Sequence, residues 1–304
     1  MFRIRHTLRP RAVAYMFGST TIHGGHLAHV ESSRRVMMHS FALLLPTLAA
    51  LLDSVSAHGY VTGVRVNGVF FKGFAPDQGF NPVAVEPVPV GWAAKNNDLG
   101  FLTPDAFQTL DINCHKNATA AKAYAHANPG DTIEFVWNQW IESHKGPIIN
   151  YIAPCNGELN CMLLGGVQIT KQMTGDCAAL RPSSLRWTKF SQDGLITPGY
   201  WITDSLMHNN YTATTTLPRN LRAGNYVVRH EIIALHGARQ DNGAQSYPQC
   251  VNLKVGGSGV VAPAQGVEGT KLYSRTEKGM KYDIYDKNLT GYPIPGPLLW
   301  RGAD

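Results

Sequence analysis

Beyond residue 57 the chain lacks any apolar run long enough to cross a bilayer, and it lacks a basic stripe suited to nucleic acid. Charged residues make up only 16% of the whole, and the formal charge of +6 overstates the downstream part. Residues 1–57 carry six arginines against Glu31 and Asp53, which leaves the rest near +2. Long amphipathic helical patterns are missing, as are internal repeats and low-complexity linkers. No close pair has a zinc-type spacing such as C-x-x-C or H-x-x-x-H. Nor does a pair of carboxylates stand out for glycoside hydrolysis. These absences set aside a membrane-spanning protein, a nucleic-acid binder, a common zinc motif and a conventional glycosidase.

What is present begins with a leader. The apolar stretch from Phe41 to Leu52 follows Arg34 and Arg35, is too short for a membrane span, and ends in the small-x-small triplet Val55-Ser56-Ala57. That is the pattern of a secretory signal peptide. Met37 or Met38 would open an ordinary one, so residues 1–36 read as a gene-model extension or a non-standard start; a genuine long leader is the alternative. Cleavage after Ala57 makes His58 the first residue of a single domain, 58–304, of about 247 residues. Secretion suits the five cysteines, which allow two disulfides and one leftover thiol. It also suits the N-x-Ser/Thr sequons at Asn117, Asn210 and Asn288, each a weak signal alone.

Short strands dominate the remainder. Asn67-Gly68 lies between β-rich flanks and predicts a hairpin over 64–71. Ile133, Phe135 and Trp137 alternate along one face, and Tyr226 to His236 forms a long extended run opened by a Gly224-Asn225 turn. Tyr247 and Gln249 are in phase with Val251, Leu253 and Val255. This spacing predicts an all-β, antiparallel β-sandwich of immunoglobulin/fibronectin-like architecture with long loops. Residues 158–175 break the pattern, as a surface insertion or as translated non-coding sequence.

Three histidines stand out chemically. An N-terminal His58 would offer an α-amine and a ring nitrogen on one residue, a donor pair that suits cupric ion. His144 sits where a strand end runs into a Gly-Pro turn, and His236 ends the long run. Singly, each reads as a surface or hydrogen-bonded core residue. Together with HGYV at His58, DINCH around Cys114, SHKGP around His144, RHEIIALHGA, GAQSYPQC, GTKLY and YPIPGP, they make the chain resemble a fungal lytic polysaccharide monooxygenase of auxiliary activity family 9. The resemblance covers residues 58–300.

That resemblance implies one copper ion held by the α-amine and ring of His58 and the ring of His144, with Tyr247 axial. His236, Gln245 and Tyr247 would be the catalytic residues around it, His236 and Gln245 positioning the oxygen co-substrate. The implied protein is a secreted, monomeric enzyme on a cellulose or other β-glucan surface. It would hydroxylate carbon 1 or carbon 4 of a glycosidic linkage using hydrogen peroxide or dioxygen and an external electron donor. A flat copper-bearing face would meet the polysaccharide through Phe80, Tyr292 and Trp300, which as exposed aromatics serve equally well as loop anchors. The alternative is a non-catalytic secreted copper- or carbohydrate-binding sandwich. The chain departs from the family pattern at Lys145, where a second histidine is usual. It also departs in the compact Cys-Asn-Gly-Asp-Cys loop, interrupted here by the insertion. The resemblance favours Cys155–Cys177 with Cys161 unpaired, with Cys155–Cys161 as the nearer alternative, and pairs Cys114 with Cys250. Glycosylation is expected at Asn117 and Asn210.

Overall fold

The computed structural model describes residues 58–78, 86–155, 163–164, 167–168, 175–263 and 266–303. Phe80, Cys161 and most of the 158–175 insertion lie outside the described residues. Strands β1 (Val61–Val66) and β2 (Val69–Lys72) form the hairpin anticipated at Asn67-Gly68. Both turn residues have positive φ, 48° and 83°, as a two-residue type I′ turn demands. Next come β3 (Ala125–Ala127), β4 (Thr132–Trp137) and β5 (Ile148–Pro154). A two-strand pair, β6 (Leu163–Leu164) and β7 (Val167–Gln168), falls within the insertion. After β8 (Arg186–Asp193), a hairpin of β9 (Leu195–Thr197) and β10 (Tyr200–Trp201) leads into α1 (Ile202–His208). Strands β11 (Thr212–Thr216), β12 (Gly224–Ala234), β13 (Gln245–Val255) and β14 (Val267–Glu268) complete the order.

Two sheets build a β-sandwich, one ordered β11-β4-β1-β2 and the other β14-β8-β5-β12-β13-β3. Pairing is antiparallel within them except where β3 joins β13. Ile133, Phe135 and Trp137 point inward from β4, as their alternation predicts, and meet Tyr226, Val228, Ile232 and Val251 from the larger sheet. That sheet is also covered on its outer face. Tyr151, Val227 and Ile233 pack there against Trp92, Phe107, Trp187 and Trp201, which loops, β8 and β10 supply. A strand buried on both sides has no polar face to alternate with, which is why β12 reads as one continuous run.

Two boundaries differ from the sequence reading. Gly224 and Asn225 are the first residues of β12, paired with Val255 and Lys254, and not a turn before it. The strand also stops at Ala234, so His236 lies on the turn beyond it. The disulfides Cys114–Cys250 and Cys155–Cys177 are formed, with Cα separations of 5.2 and 4.9 Å. The first ties β13 to the loop before β3; the second spans the interrupted loop. Asn117, Asn210 and Asn288 are exposed.

Candidate metal and substrate site

Strand pairing gathers residues far apart in sequence at one pole. The β12–β13 ladder runs in full register from Gly224↔Val255 to Ala234↔Gln245, so the end of β12 and the start of β13 emerge together. His236 follows the first; Gln245 and Tyr247 open the second. In the other sheet the start of β1 pairs with the end of β4, Val61 opposite Trp137. That register places His58 beside the segment running on from Trp137 to His144.

This segment holds both histidine-bearing stretches. Gln139 Nε2 donates to the His58 carbonyl at 2.9 Å, and Tyr60 N donates to Asn138 Oδ1 at 2.8 Å. A Cβ on Gly59 would run into the Gln139 carbonyl, so only glycine lets the chain after His58 lie this close. Five residues on, Trp140 Nε1 donates to the His144 carbonyl at 2.9 Å. Gly146 is needed for the same reason as Gly59, because a Cβ there would meet the Ile233 carbonyl.

The rings converge. His58 and His144 centroids are 5.4 Å apart, and His144 stacks on His236 at 4.0 Å. Tyr247 lies 5.7 Å from His58 and 6.4 Å from His144. Its hydroxyl donates to Gln245 Oε1 at 2.8 Å, joining two of the candidate residues directly. Trp140 closes the inner side, 5.0 Å from Tyr247 and 5.9 Å from His144. Phe101 closes another, 5.6 Å from His58 and 5.8 Å from Tyr247. The Leu102–Ser246 bridge brings Phe101 here.

Electrostatics favour neutral rings. Burial, and then the neighbouring His236 and His58, push His144 down to about 3. Burial also lowers His236 and His58, partly opposed at His58 by the Asp98 carboxylate. Burial raises the Tyr247 phenol well above its ordinary range, so it stays protonated. Neutral imidazole is the form that ligates a metal. The buried polar atoms point the same way. His144 Nδ1 lies 3.1 Å from Ser143 Oγ, whereas His144 Nε2 and His236 Nδ1 are buried without a hydrogen-bond partner. An orphaned buried nitrogen is costly unless something else satisfies it. Nitrogen donors of this type fit cupric ion. Among the described residues no three His, Cys, Asp or Glu side chains form a metal cluster.

The aromatic candidates fare differently. Tyr292 is half-buried, edge-on to Trp201 at 5.0 Å and Tyr282 at 4.9 Å, with its hydroxyl donating to the Gly279 carbonyl at 2.7 Å. Those contacts make it a loop anchor, whatever it also offers a sugar. Trp300 packs on the inter-sheet core. Sequence reading overlooked Phe101 and Gln139, whose roles rest on contacts across long separations; Gln139 reaches His58 over 81 positions. Trp140, four residues before His144, was the one neighbour whose spacing offered a signal.

Comparison with known proteins gives the chain its family. The family model for Auxiliary Activity family 9 (formerly GH61) matches residues 58–292. The chain is 42% identical over 268 residues to AA9 family lytic polysaccharide monooxygenase F of Malbranchea cinnamomea, covering 87% of this chain and 100% of that protein. It is also 42% identical over 266 residues to AA9 family lytic polysaccharide monooxygenase F of Emericella nidulans, covering 85% and 98%. The solved extended catalytic domain of H. jecorina LPMO9A superimposes with a TM-score of 0.69 at 42% identity, covering 81% of this chain and 92% of that one. With the family model spanning the whole sandwich, the chain belongs to Auxiliary Activity family 9.

Proposed function

We propose that this protein is a secreted, copper-dependent lytic polysaccharide monooxygenase that cleaves cellulose or a related β-1,4-glucan by oxidation at carbon 1 or carbon 4. The observation that carries the reading is the convergence of His58, His144, His236 and Tyr247, with His144 Nε2 buried and without a hydrogen-bond partner. Cleavage after Ala57 would free an α-amine on His58, the non-side-chain donor that the two rings need. His58, through amine and ring, and His144, through Nε2, would hold one copper ion, with the Tyr247 hydroxyl as a further nearby oxygen donor. Bound there, copper supplies one-electron chemistry with an external reductant and hydrogen peroxide or dioxygen.

The chain's own groups do the rest. Gln139 and Asn138 fix the backbone around His58, so its amine and ring stay aimed at one point. Gln245 Oε1 accepts the hydrogen bond from the Tyr247 hydroxyl, which directs the phenol oxygen and leaves the Gln245 amide N–H groups to orient an oxygen co-substrate. His236, stacked on His144, has a buried Nδ1 without a partner and is the group suited to hold or pass a proton there. Trp140 and Phe101 exclude water from the inner side. Asn117 and Asn210 are exposed acceptors for glycans, and an aromatic such as Phe80 or Tyr292 would contact sugar beyond the metal.

The test uses protein that begins at His58, loaded with one equivalent of copper and incubated with amorphous cellulose and ascorbate. Mass spectrometry should find aldonic acids or 4-keto sugars that vanish without reductant, and which of the two appears assigns the carbon. Only native oligosaccharides, or products that persist in excess chelator, would overturn the reading.

A further inference from the structure

The outer side of the His144 turn is held by contacts that the site chemistry does not require. Lys145 Nζ donates to Asp204 Oδ1 at 2.8 Å and to the Gly199 carbonyl at 3.3 Å. The pair is largely shielded, the Lys145 side chain 26% exposed and that of Asp204 7%. Asp204 is itself fixed, since its second oxygen accepts from Trp201 N at 2.7 Å in the first turn of α1. One residue further, Gly146 N donates to Thr203 Oγ1 at 3.1 Å. On the inner side the Trp140 indole holds the His144 carbonyl. The His144 backbone is therefore clamped between an indole anchored in the core and an ammonium anchored on α1 and the β9–β10 turn.

Backbone bonds also hold the turn: His144 N donates to the Ile141 carbonyl at 3.1 Å and Leu235 N to the Lys145 carbonyl at 2.8 Å. The Ser143–His144 contact is a hydroxyl that rotates freely. A charge-assisted bond in a partly dry setting is the strongest kind of side-chain link, and losing one partner strands a buried charge. The residue before Gly146 is thus the point where ring placement and the α1 platform are joined.

We propose that Lys145 is a positioning residue for His144. Its ammonium, locked on Asp204 and the Gly199 carbonyl, keeps the turn in the setting that presents His144 Nε2 to the metal. This rests on the metal-site reading above. Lys145 touches neither the metal nor the reacting atoms; it acts through its neighbour, as outer partners of metal-ligating histidines do.

The test compares wild type, Lys145→Met, Lys145→Arg and Asp204→Asn, all beginning at His58, by calorimetric copper titration, Cu(II) electron paramagnetic resonance and thermal unfolding of the metal-free protein. Lys145→Met and Asp204→Asn should each weaken copper binding about tenfold or more and shift the copper hyperfine coupling in the same direction. Lys145→Arg retains the charge pair and should stay close to wild type in both readouts. A variant combining Lys145→Met with Asp204→Asn should be no worse than either single one, because both remove the same interaction. Asp204→Asn keeps an oxygen for Trp201 N and carries the test if Lys145→Met does not fold. Lower melting temperature with unchanged copper affinity and an unchanged spectrum would overturn the proposal and leave the pair purely structural. A wild type that binds no copper would overturn the metal-site reading itself, before any variant is compared.

Discussion

Two groups of histidines lie within one molecule and have opposite polar environments. His230, in the middle of β12, is wholly buried and saturated: Nδ1 lies 2.7 Å from Asn150 Oδ1, and Nε2 accepts from the Trp137 indole at 3.0 Å. It stacks on Phe135 at 4.1 Å. The next two layers of the same strand are equally complete. Arg229 holds Glu231 through two 2.7 Å bonds, Arg229 Nε donates to the Ile112 and Asn113 carbonyls, and Ser246 and Tyr273 donate to the Glu231 carboxylate. At the end of the strand, by contrast, His144 and His236 are neighbours with a buried nitrogen left unpaired on each. A saturated buried histidine is a structural part; one with an unsatisfied nitrogen beside a second is set up for an added ligand. The same strand thus completes the polar bonds of His230 in its middle, while two buried ring nitrogens gather at its end; Asn96 Oδ1 and Trp201 Nε1 are the other buried polar atoms without a partner among the described residues.

The sharpest way to break the saturated region is to remove one member of its ion pair. Arg229→Met should lower the free energy of unfolding by about 3–5 kcal/mol, because it leaves Glu231 buried without its cation. Denaturant titration measures it, and a loss under 1 kcal/mol would mean the network is dispensable. At the open pole the consequence is reversed. His144→Ala should weaken copper binding more than about a hundredfold, roughly 3 kcal/mol, while unfolding of the metal-free protein changes little. Losing stability and keeping copper would place His144 in the structural class.

His230→Gln tests the comparison from the other side. It disturbs the bonds to Asn150 and Trp137, at a cost of about 1–3 kcal/mol, and should leave copper affinity as it was. The last effect is on pH. Burial lowers the His230 ring from 6.5 to about 3, so the native state prefers it neutral. The unfolded chain then binds the extra proton, and stability is fully present above about 6.5 and drains away as pH falls toward 3. His115, lowered to about 4 by burial, acts in the same sense. A stability–pH profile for His230→Gln should therefore fall less steeply over that window than that of wild type.

How much of this was legible in the sequence depends on the range of the contacts. The β1–β2 hairpin and the β4 alternation are local patterns, and both were readable. The limits of β12 were not, because a strand buried on both faces carries no alternation to mark where it begins or ends. For the site, His58, His144, His236, Gln245 and Tyr247 stood out through resemblance to a family; spacing alone would have left each histidine ambiguous. Nothing local separates His230 from His236, six positions apart on or near one strand. Their difference lies in partners brought by other strands, Asn150 from β5 and Trp137 from β4, and no short-range pattern encodes those.

The central claim is that His58 binds copper with its own α-amine as well as its ring. The most direct measurement is calorimetric titration of copper into two forms of the protein, one beginning at His58 and one retaining Ala57. The account predicts tight binding of one ion by the first form and a severe loss of affinity in the second. Equal affinity in both forms would contradict it.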